Sequence, residues 1–322
     1  MNKERVIRDL KFLGLSLAAV YGFNKAANYV SISKGYLKAS EENYYDWRTL
    51  RIYYKKTGTG SPILLLHDLN PASSSYIWER VVPTLAKNHK VYVMDLPGCG
   101  LSDKPQMTYN SFYYVLLIND FITNVICEKT MVVASGLSAT PALMACAYEP
   151  KYYSGLVFIN PPSTLQMADL PDGSSEILKC LLETPLFGEL LYNTIYSRFM
   201  LDNTLTERYF YNPFNIDGKL LNVFCEGAHL KNSNGRYLEA SINGKYLNMD
   251  ITHALRNLTT PAMVIAGGRK PHETAVAKTW VRENKRIRFR VISSARSYPQ
   301  LENPMDTCIE IENFFSERVR RR

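Results

Sequence analysis

Met131-Val132-Val133-Ala134-Ser135-Gly136-Leu137-Ser138-Ala139-Thr140 changes character twice. Met131 to Ala134 is a continuous apolar run, suited to a strand buried on both faces. Ser135, Gly136 and Ser138 are small residues, the composition of a sharp turn. From Leu137 the pattern turns helical and runs to Pro150. Pro141 lies in the first turn of that helix, where its missing N–H costs little. Strand, tight turn and helix in this order put Gly136, a residue with no side chain, at the corner.

The neighbouring segments repeat the rhythm. Residues 44–57 read as strands ending at the turn cluster Gly58-Thr59-Gly60-Ser61-Pro62. Ile63-Leu64-Leu65-Leu66-His67 is another buried strand. A helix is expected over residues 77–88, a strand over 90–95, a helix over 112–127 and a strand over 155–160. Alternating strands and helices predict an α/β fold with a mostly parallel central sheet and helices on both faces. The rhythm breaks at Pro161. Residues up to about 257 are helical in pattern and carry Tyr192, Tyr196, Phe199, Tyr209, Phe210, Tyr211 and Phe214; this is an inserted helical cap. The sheet resumes with Pro261-Ala262-Met263-Val264-Ile265-Ala266-Gly267. In the following strand, 287–292, arginines alternate with apolar residues, as at a charged sheet edge. A final helix spans about 305–319. The division expected is a helical leader over 1–40, a core over 41–162 and 258–322, and a cap over 163–257.

At 322 residues with 46% apolar content, the chain can bury a large core, which excludes a disordered chain. Its net charge of +8 is concentrated in residues 278–290 and in a tail bearing Arg318, Arg320, Arg321 and Arg322. These blocks suit an anionic surface or are a solvated face and a frayed tail. No zinc-ligand spacing, P-loop or nucleic-acid module occurs, so no metal, cofactor or nucleic-acid partner is expected. Cys99, Cys127, Cys146, Cys180, Cys225 and Cys308 form no C-x-x-C pair and read mainly as buried free thiols of a reducing compartment. At the start, Lys3, Arg5, Arg8 and Lys11 precede an apolar run over residues 12–23, shorter than the about 20 residues a span needs. An interfacial helix, a helix packed on the body and a signal anchor are the readings, in that order. The expected location is cytoplasmic, with membrane affinity through residues 1–25.

Several motifs resemble the α/β-hydrolase superfamily in its capped branch, with epoxide hydrolases, haloalkane dehalogenases and small esterases. Asp95-Leu96-Pro97-Gly98-Cys99-Gly100-Leu101-Ser102-Asp103-Lys104-Pro105 resembles that family's D-x-x-G-x-G-x-S loop. With it go Leu66-His67 after the strand, Trp78, and Pro299-Gln300-Leu301-Glu302-Asn303-Pro304 before the last helix. The resemblance covers about Trp47 to Phe315 and implies an α/β-hydrolase fold.

The resemblance also assigns positions for chemistry. The nucleophile elbow corresponds to Ala134-Ser135-Gly136-Leu137-Ser138, so the nucleophile position holds Gly136; the fourteen residues from Gly136 to Pro150 fix this register. The acid position, in Gly267-Gly268-Arg269-Lys270-Pro271, holds Lys270. The base position, in Arg296-Ser297-Tyr298-Pro299, holds Ser297. None of His67, His89, His229, His253 and His272 maps there, and His272 lies nearest the acid loop. The oxyanion region is His67-Asp68-Leu69, with the N–H groups of Leu69 and Leu137 as its donors. Asp68 either adds an opposing charge beside them or is a turn residue facing solvent.

Acyl transfer needs an activated nucleophile, a base and a group orienting the base. Losing all three forfeits roughly a millionfold in rate. The expectation is therefore a non-catalytic α/β-hydrolase-fold protein that binds a small apolar ligand, in a pocket of His67, Asp68, Leu69, Ser135 and Leu137, or binds a partner. Two alternatives stand beside it. One is a hydrolase of an ester or similar small substrate, through Ser135, Ser138 or a Ser297–Lys270 pair. The other is a membrane-surface scaffold. Oligomeric state is not legible.

Overall fold

The structure, a computed structural model, describes residues 3–38 and 43–319. The ends at 1–2 and 320–322, with Arg320, Arg321 and Arg322, lie outside the described residues, as does the expected leader–core boundary at 40/41. Eight strands form one sheet in the order β1-β2-β4-β3-β5-β6-β7-β8. They are β1 (Tyr44–Trp47), β2 (Leu50–Thr57), β3 (Ser61–Leu66), β4 (His89–Met94), β5 (Thr130–Ser135), β6 (Tyr153–Ile159), β7 (Ala262–Gly267) and β8 (Arg288–Ile292). β1 and β2 pair antiparallel, as do β2 and β4; every other pairing is parallel.

Side chains alternate between two cores, as period-two strands require. Leu64, Leu66, Val132, Ala134, Leu156, Phe158 and Val264 face one layer. Ile63, Leu65, Met131, Val133, Val157, Ile159, Met263 and Ile265 face the other. Burial on both faces explains the unbroken apolar runs of β3, β5 and β7. β8 closes one edge, where Arg290 is exposed and pairs with Glu310 at 3.0 Å.

The helices are α1 (Lys3–Ile32), α2 (Val82–Leu85), α3 (Ser111–Phe121), α4 (Ala139–Tyr148), α5 (Thr164–Met167), α6 (Gly173–Glu183), α7 (Phe187–Ile195), α8 (Arg198–Thr204), α9 (Gly218–Ser233), α10 (Gly235–Asn243), α11 (Thr252–Asn257), α12 (Pro271–Glu283), α13 (Pro299–Glu302) and α14 (Pro304–Val319). α5 to α11 lie between β6 and β7 and form the helical insertion. The helix expected over residues 77–88 is instead a 3-10 turn at Ser75–Trp78 followed by the short α2. Pro83 sits in the first turn of α2, and a proline there cannot continue a helix begun at Ile77.

The leader helix is longer than its apolar run. Asn24 and Asn28, one helical turn apart, are buried and carry α1 onto the insertion. Asn24 donates to the Leu186 carbonyl at 3.0 Å and accepts from Asn193 at 3.2 Å. Asn28 donates to Glu189 Oε1 at 3.2 Å and accepts from Ser233 at 2.9 Å. The first half of α1 projects with Leu10, Phe12, Leu13 and Leu15 exposed; Phe12 is 73% exposed. No helix among the described residues is long and apolar enough to cross a membrane. Of the six cysteines, Cys99, Cys146, Cys225 and Cys308 are buried and Cys127 and Cys180 exposed, all unpaired.

Candidate functional site

β5 is buried throughout and ends at Ser135. Gly136 then takes φ +60°, a left-handed conformation that glycine adopts at no steric cost. Gly136–Ser138 form a 3-10 turn that leads into α4. The two serines beside it are engaged beneath the turn. Ser138 donates to the Ser135 carbonyl at 2.9 Å, and the Ser135 hydroxyl accepts from Gln300 Nε2 at 3.1 Å. Both are buried to within 1%.

Across from the turn, His67 and Asp68 follow β3. The Leu96 N–H donates to His67 Nε2 at 2.9 Å, so Nε2 carries no proton and Nδ1 is the donor. Nδ1 reaches the Asp68 carbonyl at 2.7 Å. Burial pushes the His67 pKa down, which keeps the ring neutral. His67 thus fixes the backbone of Asp68 and is spent as a base.

Asp68 turns its side chain inward, not to solvent. Its Oδ1 accepts the Leu137 N–H at 2.7 Å, and the Leu69 N–H also donates to the carboxylate. These are the two backbone donors assigned above to an oxyanion. Desolvation raises the Asp68 pKa to about 6, against the lowering effect of the two N–H bonds. A Cβ on Gly136 would fall 2.2 Å from Asp68 Oδ1. The carboxylate therefore occupies the space in which a nucleophilic side chain at position 136 would start.

Lys270 immediately precedes α12. Its ammonium donates to the Arg208 carbonyl at 2.9 Å and lies 3.6 Å from Glu273 Oε1. The Ser297 hydroxyl donates to the same Glu273 oxygen at 2.8 Å. Ser297 and Lys270 therefore meet one carboxylate and do not bond to each other, so the direct activation that a serine–lysine pair requires is missing from this arrangement.

Sequence reasoning missed Glu273 and also Asn160. Asn160 ends β6 at φ +44°, a conformation that asparagine tolerates better than most residues. Its Nδ2 donates to the carbonyls of Arg296 and Ser297 at 2.9 and 3.0 Å, and its Oδ1 accepts the Gly267 N–H at 2.9 Å. It ties together the loops bearing Ser297 and Lys270. The available signal was an asparagine between a buried strand and Pro161-Pro162.

Two adjoining cavities open beside these groups. The larger, about 480 Å³, lies between core and insertion and is lined by Asp68, Leu69, Gly136 and Leu137 from the core and by Tyr196, Tyr209, Phe224 and Glu239 from the insertion. The smaller, about 220 Å³, is lined by Asp68, Ser135, Gly136, His272, Glu273 and Ser297 among others. Lys270 is not in its lining and reaches it only through Glu273. His67, expected in the pocket, lines neither cavity: it is fully buried, with both ring nitrogens bonded to backbone.

A mostly parallel eight-stranded sheet, a glycine elbow after β5 and a helical insertion after β6 define the class: an α/β-hydrolase fold. A sequence model described as the alpha/beta hydrolase family matches residues 63–311, and the chain belongs to that family. It is 30% identical to a haloalkane dehalogenase of Mesorhizobium japonicum over 142 residues, 43% of this chain and 45% of that protein. The chain spans less than half the length of the curated relatives it matches. Among solved structures, a serine hydrolase involved in carbazole degradation aligns with TM-score 0.70 at 17% identity, over 85% of this chain and 97% of that one. A membrane phospholipase A, titled a bacterial virulence factor, aligns with TM-score 0.68 at 18% identity, over 99% of both chains.

Proposed function

We propose that this chain is a non-catalytic member of its family, a pseudohydrolase that binds a small molecule with an apolar body in the cavity between core and insertion. One observation carries the reading: the Asp68 carboxylate fills the elbow opposite Gly136 and accepts the Leu137 N–H at 2.7 Å. A carboxylate on that donor opposes the negative charge that acyl transfer develops. Neither a nucleophile nor a free base stands at the elbow. The test is serine-directed fluorophosphonate labelling of the purified chain together with turnover of short aryl esters, an epoxide and a haloalkane. The reading expects no labelling and no turnover above a heat-denatured control. Labelling mapped to Ser135, Ser138 or Ser297, or turnover lost in Ser297→Ala or Lys270→Ala, overturns it in favour of a non-standard hydrolase.

A second reading concerns location. The projecting half of α1 combines exposed Leu10, Phe12, Leu13 and Leu15 with Arg5, Arg8 and Lys11, the pairing of apolar and basic groups that suits an anionic membrane surface. The full-length alignment with a protein titled a membrane phospholipase is in keeping with it. The proposal is a cytoplasmic protein held peripherally through residues 1–25, where it also serves the scaffold alternative. Co-flotation with phosphatidylserine vesicles that is lost on Phe12→Ser with Leu15→Ser supports it. Extraction by detergent alone, with the main domain outside the cell, replaces it with a signal anchor.

A further inference from the structure

The larger cavity carries an electrostatic asymmetry. Two carboxylates line it, Asp68 from the core and Glu239 from the insertion. The Glu239 carboxylate accepts the Tyr196 hydroxyl at 2.6 Å and the Asn243 side-chain amide at 2.8 Å. Asp68 accepts backbone N–H groups alone. All these donors are neutral, and among the described residues neither carboxylate has an ion-pair partner. One basic side chain, Arg208, lines the same cavity, but it is exposed, so solvent screens it. The protein as a whole carries +8, so the sign inside the cavity runs against the sign of the molecule.

The walls add a second preference. Tyr196, Tyr209 and Tyr298 line the cavity, and Tyr209 and Tyr298 stack with centroids 5.4 Å apart. Tyrosine rings attract cations to their faces. An anionic head group, by contrast, finds the Leu137 N–H already taken by Asp68.

We propose that the cavity between core and insertion takes a ligand with an apolar body and a cationic, amine or quaternary-ammonium head, received by Asp68, Glu239 and the tyrosine rings. The inference rests on the ligand-binding reading above and gives that ligand its charge. A carboxylate ligand, which the Leu69 and Leu137 donors would otherwise hold, is refused by Asp68.

Three probes with one body separate the possibilities: 4-phenylbutyltrimethylammonium, 4-phenylbutan-1-ol and 4-phenylbutanoate, titrated calorimetrically into the full chain at pH 7.5. The cation is expected to bind about tenfold or more tighter than the alcohol, in the range that desolvated cation–π and charge contacts supply, and the carboxylate most weakly. Glu239→Gln and Asp68→Asn each lower the affinity for the cation about fivefold or more and leave that for the alcohol unchanged. The unchanged alcohol shows that the cavity is still folded. Equal binding of cation and alcohol, or tighter binding of the carboxylate, overturns the cationic assignment and leaves the ligand-binding reading standing. Absence of binding by all three overturns both. Ester turnover overturns only the non-catalytic reading.

Discussion

The Lys104 ammonium donates to the Gly227 carbonyl at 2.5 Å, joining a core loop to helix α9 of the insertion. α9 unwinds just beyond that carbonyl: Leu230 has ψ 149°, and Lys231 and Asn232 have φ of 59° and 57°. The N–H that a continuous helix would supply is turned away, and Lys104 takes its place.

Desolvation lowers the Lys104 pKa to about 8 from its ordinary 10.5. The folded chain then binds fewer protons than the unfolded one between those values, so this group makes stability rise with pH across the window and lose that gain as pH falls through 8. The gain is on the order of 3 kcal/mol by linkage. Urea melts of wild type and Lys104→Met at pH 7.5, 9 and 10.5 check it: the mutant's curve should lack the rise.

Asp68 behaves in the opposite sense. Its pKa, raised from 3.8 to about 6, gives stability that is fully present below about pH 4 and lost as pH rises through 6. Asp68→Asn keeps an oxygen for the Leu137 N–H and carries no charge. It should stabilise the chain at pH 7 by about 1–3 kcal/mol, with little difference at pH 4. A destabilised Asp68→Asn at pH 7 contradicts the inward, desolvated carboxylate.

Gly136 and Asp68 form a coupled pair. Gly136→Ala places a methyl against Asp68 at a left-handed φ and should cost about 2 kcal/mol or more. In the background Asp68→Gly, the same substitution should cost about 1 kcal/mol less, since the collision is gone and the φ strain remains. A double-mutant cycle in urea with additive effects would separate the two residues.

Catalysis should not return with a hydroxyl alone. Gly136→Ser is expected to stay at background on p-nitrophenyl butyrate, because no base reaches it. Gly136→Ser, Lys270→Asp and Ser297→His combined with Asp68→Gly should exceed that background by about tenfold or more, as the freed N–H donors and a restored triad act together. Activity in Gly136→Ser alone would point to a base near the elbow, with His272 of the smaller cavity the first candidate.

Replacing Asn28 of the asparagine pair tests how the leader is held. Asn28→Leu leaves Ser233 and Glu189 short of a buried partner, at about 1–3 kcal/mol. Trypsin should then cut within α1 before the core melts. Cleavage unchanged from wild type would assign the hold to α1's apolar contacts.

The parts of this fold that were legible in the sequence are those set by local pattern. The apolar runs of β3, β5 and β7 announce strands covered on both faces, and the resemblance to the family, through the spacing from Gly136 to Pro150, locates the elbow turn. The illegible parts are directions and meetings. Whether Asp68 faces solvent or the elbow depends on an N–H supplied by Leu137, far along the chain, and nothing in His67-Asp68-Leu69 encodes it. Glu273 comes between Ser297 and Lys270 only because α12 starts at Pro271 and turns its first-turn carboxylate inward. In the sequence Asn24 only ends an apolar run. It is the start of a buried polar contact, signalled only by its spacing from Asn28.

That contact has a consequence for synthesis. α1 emerges from the ribosome well before its partners Glu189, Asn193 and Ser233, which follow 161 to 205 residues further along the chain. Throughout that interval the helix has no docking face to close upon. A segment made before its partners is thus fastened only after them, and its greasy face is open to capture by whatever surface it meets in between.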